Sequence, residues 1–167
     1  MNTLVRMHAL GIRPTEYHMY SLVNGLINGY AGLAVALMNT SSLSTLRKLL
    51  LVYITIEDDR DPLYGLCEEF KGLSGRDNVI EEISLKIAVQ EGRHCNAETF
   101  EWGRLDAALK HGFPMLRHVS VEIAVGVLSF YGAGEILRRK LDGLPGQCFP
   151  WLSKNTTVFF SFSTSIK

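Results

Sequence analysis

Three stretches of this chain align over eight residues without a gap, and no other feature restricts its fold as strongly. They are LRKLLLVY (Leu46–Tyr53), IEEISLKI (Ile80–Ile87) and LRHVSVEI (Leu116–Ile123). In each, the first, fourth, sixth and eighth places are apolar: Leu46, Leu49, Leu51, Tyr53; Ile80, Ile83, Leu85, Ile87; Leu116, Val119, Val121, Ile123. The last three places alternate with their neighbours, the period of a strand that buries one face. A weaker copy, NTTVFFSF from Asn155, sets Val158, Phe160 and Phe162 on the same register. The four starts lie 34, 36 and 39 residues apart, so the chain reads as a repeated unit.

Between these strands the apolar period becomes helical. Leu63, Leu66, Phe70 and Leu73 step by three and four, as do Trp102, Leu105 and Leu109; Ile136, Leu137, Leu141 and Leu144 continue the theme. Pro62 suits a first helical turn, with Asp61 as its N-cap, and Gly72, Gly75 and Gly112 suit helix ends. Ahead of the first strand, a helix is expected to end near Asn39 and to turn into Leu46. Strands joined by helical crossovers run parallel.

Parallel strand–helix units build two kinds of object. A doubly wound sheet has helices on both faces and strands that are apolar throughout. A solenoid covers one face, leaving alternating strands and a polar open surface. The second and third copies favour the solenoid, because their outward places hold Ser84 and Lys86, then Ser120 and Glu122. The first copy carries Leu50, Val52 and Ile54 there, an apolar patch at one end of that surface. The small doubly wound α/β domain is the alternative.

Length and composition fit one ordinary globular domain: 167 residues, 47% hydrophobic and 20% charged. It divides into an N-terminal, mostly helical segment (1–39) and three to four strand–helix repeats (40–167). Seventeen basic residues balance seventeen acidic ones, which excludes a polyanion footprint and so nucleic acid as the expected partner. Cys67, Cys95 and Cys148 are far apart and form no CxxC, which fits a reducing, cytoplasmic or nuclear setting better than a disulfide framework. Met19–Met38 is uncharged and of membrane-spanning length, with Gly25 and Gly29 at GxxxG spacing. Asn24, Asn28 and the absence of a flanking basic cluster favour a buried helix over a span.

The segment EWGRLDAALKHGFPMLRHVSVEI (Glu101–Ile123) resembles the leucine-rich region of the F-box-type proteins of mushroom-forming fungi. Trp102, Leu105, Asp106, Leu109, Phe113, Pro114, Leu116, Val119 and Val121 carry the resemblance, and SSLSTLRKLLL (Ser41–Leu51) is similar to the preceding repeats of those proteins. It covers roughly residues 40–145. The resemblance implies a leucine-rich-repeat-like solenoid fragment whose open face recognises a protein. No F-box-like opening precedes the repeats, so ubiquitin-ligase machinery enters only if an F-box lies outside this chain. The ending TTVFFSFSTSIK reads as a fragment's end or an edge that a partner covers.

Chemistry is harder to find. YITIEDDRDP (Tyr53–Pro62) ends a strand in Glu57, Asp58, Asp59 and Asp61, where Mg²⁺ or a phosphoryl group could be held. Acids ahead of a helix also answer its dipole, and a loop feeding the next helix explains them with fewer assumptions. His94 and Cys95 adjoin in a polar loop without a second ligand pair, His111 lies at a helix end, and His118 points away from the core set. No Walker A, GxGxxG, HExxH or GxSxG sequence occurs. Trp102, at helical spacing with Leu105 and Leu109, is core. The expectation is a non-catalytic protein-interaction module without cofactor or metal. Its contact surface is Val52, Ser84, Lys86, Ser120 and Glu122, and its protein partner is unknown. The rival is a small α/β domain binding Mg²⁺ or phosphate through the acidic loop 57–61.

Overall fold

The computed structural model describes residues 16–23, 32–39, 41–55, 63, 65–74, 78–91, 101–127 and 133–166. Strands and helices alternate along it: β1 (Glu16–Val23), α1 (Leu33–Asn39), β2 (Lys48–Thr55), α2 (Leu66–Leu73), β3 (Glu82–Glu91), α3 (Trp102–Gly112), β4 (His118–Val127), α4 (Ala133–Cys148), α5 (Pro150–Lys154) and β5 (Phe159–Ile166). The five strands form one sheet, ordered β1-β2-β3-β4-β5, and every neighbouring pair is parallel. The protein is therefore α/β, with a parallel sheet and short helices.

The alternation within each copy decides which face is buried. Leu49, Ile83 and Val119 stand in one row across the sheet, Leu51, Leu85 and Val121 in the next, and Tyr53, Ile87 and Ile123 in the third. All nine are buried. Against them lie the helical stripes: Leu33 and Leu37, then Leu66, Phe70 and Leu73, then Trp102, Leu105 and Leu109, then Leu141 and Leu144. Each large side chain so removed from water contributes about 1.5–3 kcal/mol. Leu46, Ile80 and Leu116, the first places of the copies, close the core just ahead of each strand. Phe70 meets Phe113 edge-on, with ring centroids 5.1 Å apart. Phe149 joins Trp102 at 5.7 Å to Phe160 of β5 at 5.2 Å.

Polar side chains, two of them buried, tie neighbouring crossovers together. Asn78, four residues ahead of β3, donates its amide to the carbonyls of Leu73 (3.3 Å) and Gly112 (2.9 Å), the C-terminal residues of α2 and α3. Carbonyls at a helix end lack intrahelical partners, so one side chain satisfies two helices. Glu69 of α2 accepts from the backbone N–H groups of Gly32 (2.8 Å) and Ala34 (2.7 Å), capping α1. Asp106 of α3 does the same for α5, accepting from Trp151 N (2.9 Å) and Leu152 N (3.1 Å).

Four expectations need correction. Within the segment 1–39, expected to be mostly helical, Glu16–Val23 is instead a strand paired with β2 along its whole length, and the described helix is Leu33–Asn39. Tyr17 and Met19 share rows with Leu49 and Leu51, but Ser21 in the row of Tyr53 interrupts the apolar alternation and hides the strand. The last copy is also shifted. Phe160 and Phe162 stand beside Val119 and Val121, two residues out from the alignment, so the interval from His118 to Phe159 is 41 residues. A slip of two preserves the face, which is why the alternation still points inward. Next, α2 begins at Leu66 behind Gly65, whose φ of 81° is left-handed, and not at Pro62 with Asp61 as its cap. Finally, Gly72 lies inside α2, one residue before its end, while Gly112 does end α3. Pro62, Asp61 and Gly75 lie outside the described residues. Among those described, no helix is long and apolar enough to cross a membrane.

Candidate functional site

The rows of the second sheet face follow from the same register. Leu50, Ser84, Ser120 and Ser161 share one row; Val52, Lys86, Glu122 and Ser163 share the next. All five residues expected to form a contact surface therefore fall in two adjacent rows. Lys86 and Glu122 are exposed, while Val52, Ser84 and Ser120 are half-buried. The contrast with the fully buried rows of the first face is the direct result of strand alternation.

Neighbouring residues in these rows bond each other. Ser120 Oγ donates to Ser84 Oγ at 2.9 Å. Lys86 Nζ lies 3.2 Å from Glu122 Oε2, with about half of each side chain still in water. One row of charge lies nearer the strand starts, where Lys48 Nζ is 3.3 Å from Glu82 Oε2. An ion pair this exposed contributes roughly 0–1 kcal/mol, so it orders the surface more than it stabilises the fold. Composition changes across the sheet: Leu50 and Val52 on β2, a compensated charge pair on β3 and β4, then Ser161 and Ser163 on β5.

The hydroxyls of Ser84 and Ser120 bond each other, and among the described residues no imidazole or amine accepts a proton from either. No three His, Cys, Asp or Glu side chains of the described residues gather as metal ligands would. The acidic loop 57–61, His94 and Cys95 lie outside the described residues. His111 sits in the last turn of α3, and His118 opens β4, exposed, with its ring 5.5 Å from that of Phe159. Trp102 is fully buried.

Several polar residues escaped the reading of the sequence. Arg47 pairs with Glu81 at the second place of the aligned copies, and Lys48 with Glu82 at the third. Read down the alignment, those places run Arg, Glu, Arg and Lys, Glu, His, a charge alternation that could have been seen without coordinates. On the helical side, Glu68 bonds Lys71 at 2.8 Å and also reaches Arg104 of α3. The hydrogen bond from Lys71 holds the Glu68 carboxyl below the usual range, with the charges of Lys71 and Arg104 adding to it. Arg104 is in turn raised, chiefly by its hydrogen bond to Glu101. Burial pushes the Cys148 thiol up.

No family model matches the chain, and neither does any curated protein or solved structure.

Proposed function

We propose that this chain is a protein-binding module of stacked strand–helix repeats, a leucine-rich-repeat-like solenoid fragment whose partner docks on the second sheet face. The observation that carries the reading is the alignment of Val52, Lys86, Glu122 and Ser163 in one row, on a face whose side chains are half-buried or exposed. Strand order supports the stacked form over the doubly wound one. A doubly wound sheet reverses its order at a switch point, whereas this one runs from β1 to β5 without reversal. The role is similar to that of the substrate-recognition repeats of F-box-type ubiquitin-ligase adaptors, with ligase machinery involved only if an F-box lies outside this chain. Mixed, locally compensated charge suits a protein partner, with specificity set by complementary potential and by an apolar end at Leu50 and Val52.

The test is charge reversal on the face. Lys86→Glu and Glu122→Lys each place like charges side by side, and the double exchange restores the pair. Proteins captured by the wild-type chain from lysate are expected to be lost with both single variants, at unchanged far-UV circular dichroism. Identical capture by all variants refutes the assignment of this face.

A further inference from the structure

Charge at the N-terminal ends of the strands alternates across the sheet and then runs out of acids. Arg47 is answered by Glu81 and Lys48 by Glu82. Arg117, just ahead of β4, and His118, its first residue, continue the alternation, their backbone N–H groups both donating to the Glu81 carbonyl. The next strand supplies only Val158 and Phe159 beside them. Neither Arg117 nor His118 forms an ion pair among the described residues.

A groove of about 860 Å³ opens at this point, lined by Arg117 and His118 on one wall and by the turn ahead of β5 on the other. Behind the same turn lies a second groove of about 850 Å³, lined by Lys110 and His111 from the end of α3 and by Trp151 and Lys154 from α5. Asn155, Thr156 and Thr157 border both, so the two meet around the turn. Among the described residues lining the two grooves the one carboxylate is Asp106, in the second, and both of its oxygens accept backbone N–H groups of α5. Lys110 and Lys154, like Arg117, form no ion pair among the described residues. In a chain of zero net charge, Arg117 thus lines one groove and Lys110 and Lys154 the other, each outside any ion pair among the described residues.

We propose that Lys110, Arg117 and Lys154, which border the Asn155–Thr157 turn and make no ion pair with a described residue, form a docking trough for an acidic peptide segment of a partner protein. The trough is separate from the sheet face described above and does not depend on that face binding anything. The chemistry fits a chain of carboxylates: a guanidinium takes a carboxylate through two parallel bonds, while the two ammonium groups act as point charges further along. Trp151, half-buried beside Lys154, adds an amphipathic wall of the type enriched at binding sites. Two grooves bordering the same turn suit an extended segment better than a single compact anion. The neutral chain as a whole lacks the broad basic surface that a nucleic acid requires.

Tryptophan emission provides the readout, because Trp102 is fully buried and Trp151 is not. The full chain is titrated with a short oligoglutamate peptide, and calorimetry serves as a second signal. A saturable change is expected, weakening as added salt screens the charges. Lys110→Glu/Lys154→Glu is expected to bind at least about tenfold more weakly, at unchanged circular dichroism. Arg117→Glu, exposed on another element, is expected to weaken binding as well and stands in if the double variant misfolds. Lys86→Glu is expected to bind oligoglutamate as the wild type does. The proposal is overturned by the absence of saturable binding, by equal affinity in the trough variants, or by an equal loss in Lys86→Glu. Tighter binding of a single-stranded oligodeoxynucleotide than of oligoglutamate also overturns it.

Discussion

Asp106 is the one charged residue buried among those described, and its replacement gives an exacting test of the fold. Its side chain is 4% exposed, and its two oxygens hold the N–H groups of Trp151 and Leu152 at 2.9 and 3.1 Å. Asp106→Ala leaves both donors without a partner at the start of α5. A lost cap costs about 0.5–2 kcal/mol, and a buried donor left unsatisfied costs about 1–3 kcal/mol. The combined loss comes to roughly 3 kcal/mol, or a fall in Tm of about 6–12 °C for a chain of this size. Asp106→Asn has the same shape but one accepting oxygen, so it is expected to lose about half as much. Urea unfolding followed by circular dichroism measures both, and Trp151 emission reports whether α5 loosens before the rest. An Ala variant within about 0.5 kcal/mol of the wild type, the range of an ordinary surface change, refutes the capping argument.

Two further predictions concern stability alone. Gly103 lies in α3 with nothing within 4 Å of the place a Cβ would take, whereas a Cβ at Gly72 in α2 meets that of Ala34 at 3.1 Å. Gly103→Ala is therefore expected to stabilise by about 0.5–1 kcal/mol in urea unfolding, and Gly72→Ala to gain less; the reverse order contradicts the helix packing. The lowered carboxyl of Glu68 sets the sign of a pH effect. Its interactions with Lys71 and Arg104 stabilise the fold above the ordinary carboxylate range and are lost as pH falls through the depressed folded value. The difference in urea midpoint between wild type and Glu68→Gln should thus shrink from pH 7 toward pH 3, and a difference that widens contradicts it.

Much of this architecture is legible in the sequence because its signals are local. Leu49, Leu51 and Tyr53 alternate within five residues, and Trp102, Leu105 and Leu109 mark a helix within eight, so neither reading needs a distant partner. The two rows holding Ser84, Ser120, Lys86 and Glu122 follow from aligning the copies, since parallel strands in register bring equivalent places together. β1 is hidden because its apolar residues fade at Ser21 into a long uncharged stretch, where a short strand and a helix look alike. The caps are invisible for a different reason. Asp106 meets residues 45 and 46 positions away, and Asn78 reaches Gly112 across 34, distances at which no local pattern announces a bond. Likewise, the trough exists only because the turn at Asn155 brings the end of α5 near the starts of β4 and β5.

The spacing of the strands has a consequence for how such a chain can change. Equivalent strand starts, Glu16, Lys48, Glu82, His118 and Phe159, are separated by 32, 34, 36 and 41 residues, yet every row across the sheet stays aligned. All the variation in length is absorbed between strands. A single residue inserted within a strand would exchange its two faces, burying Lys86 and exposing Leu85, whereas a crossover that grows by several leaves both where they are. The register thus tolerates length changes between strands and not within them. The lettering of the second sheet face can be rewritten one position at a time, while the chain that carries it lengthens independently.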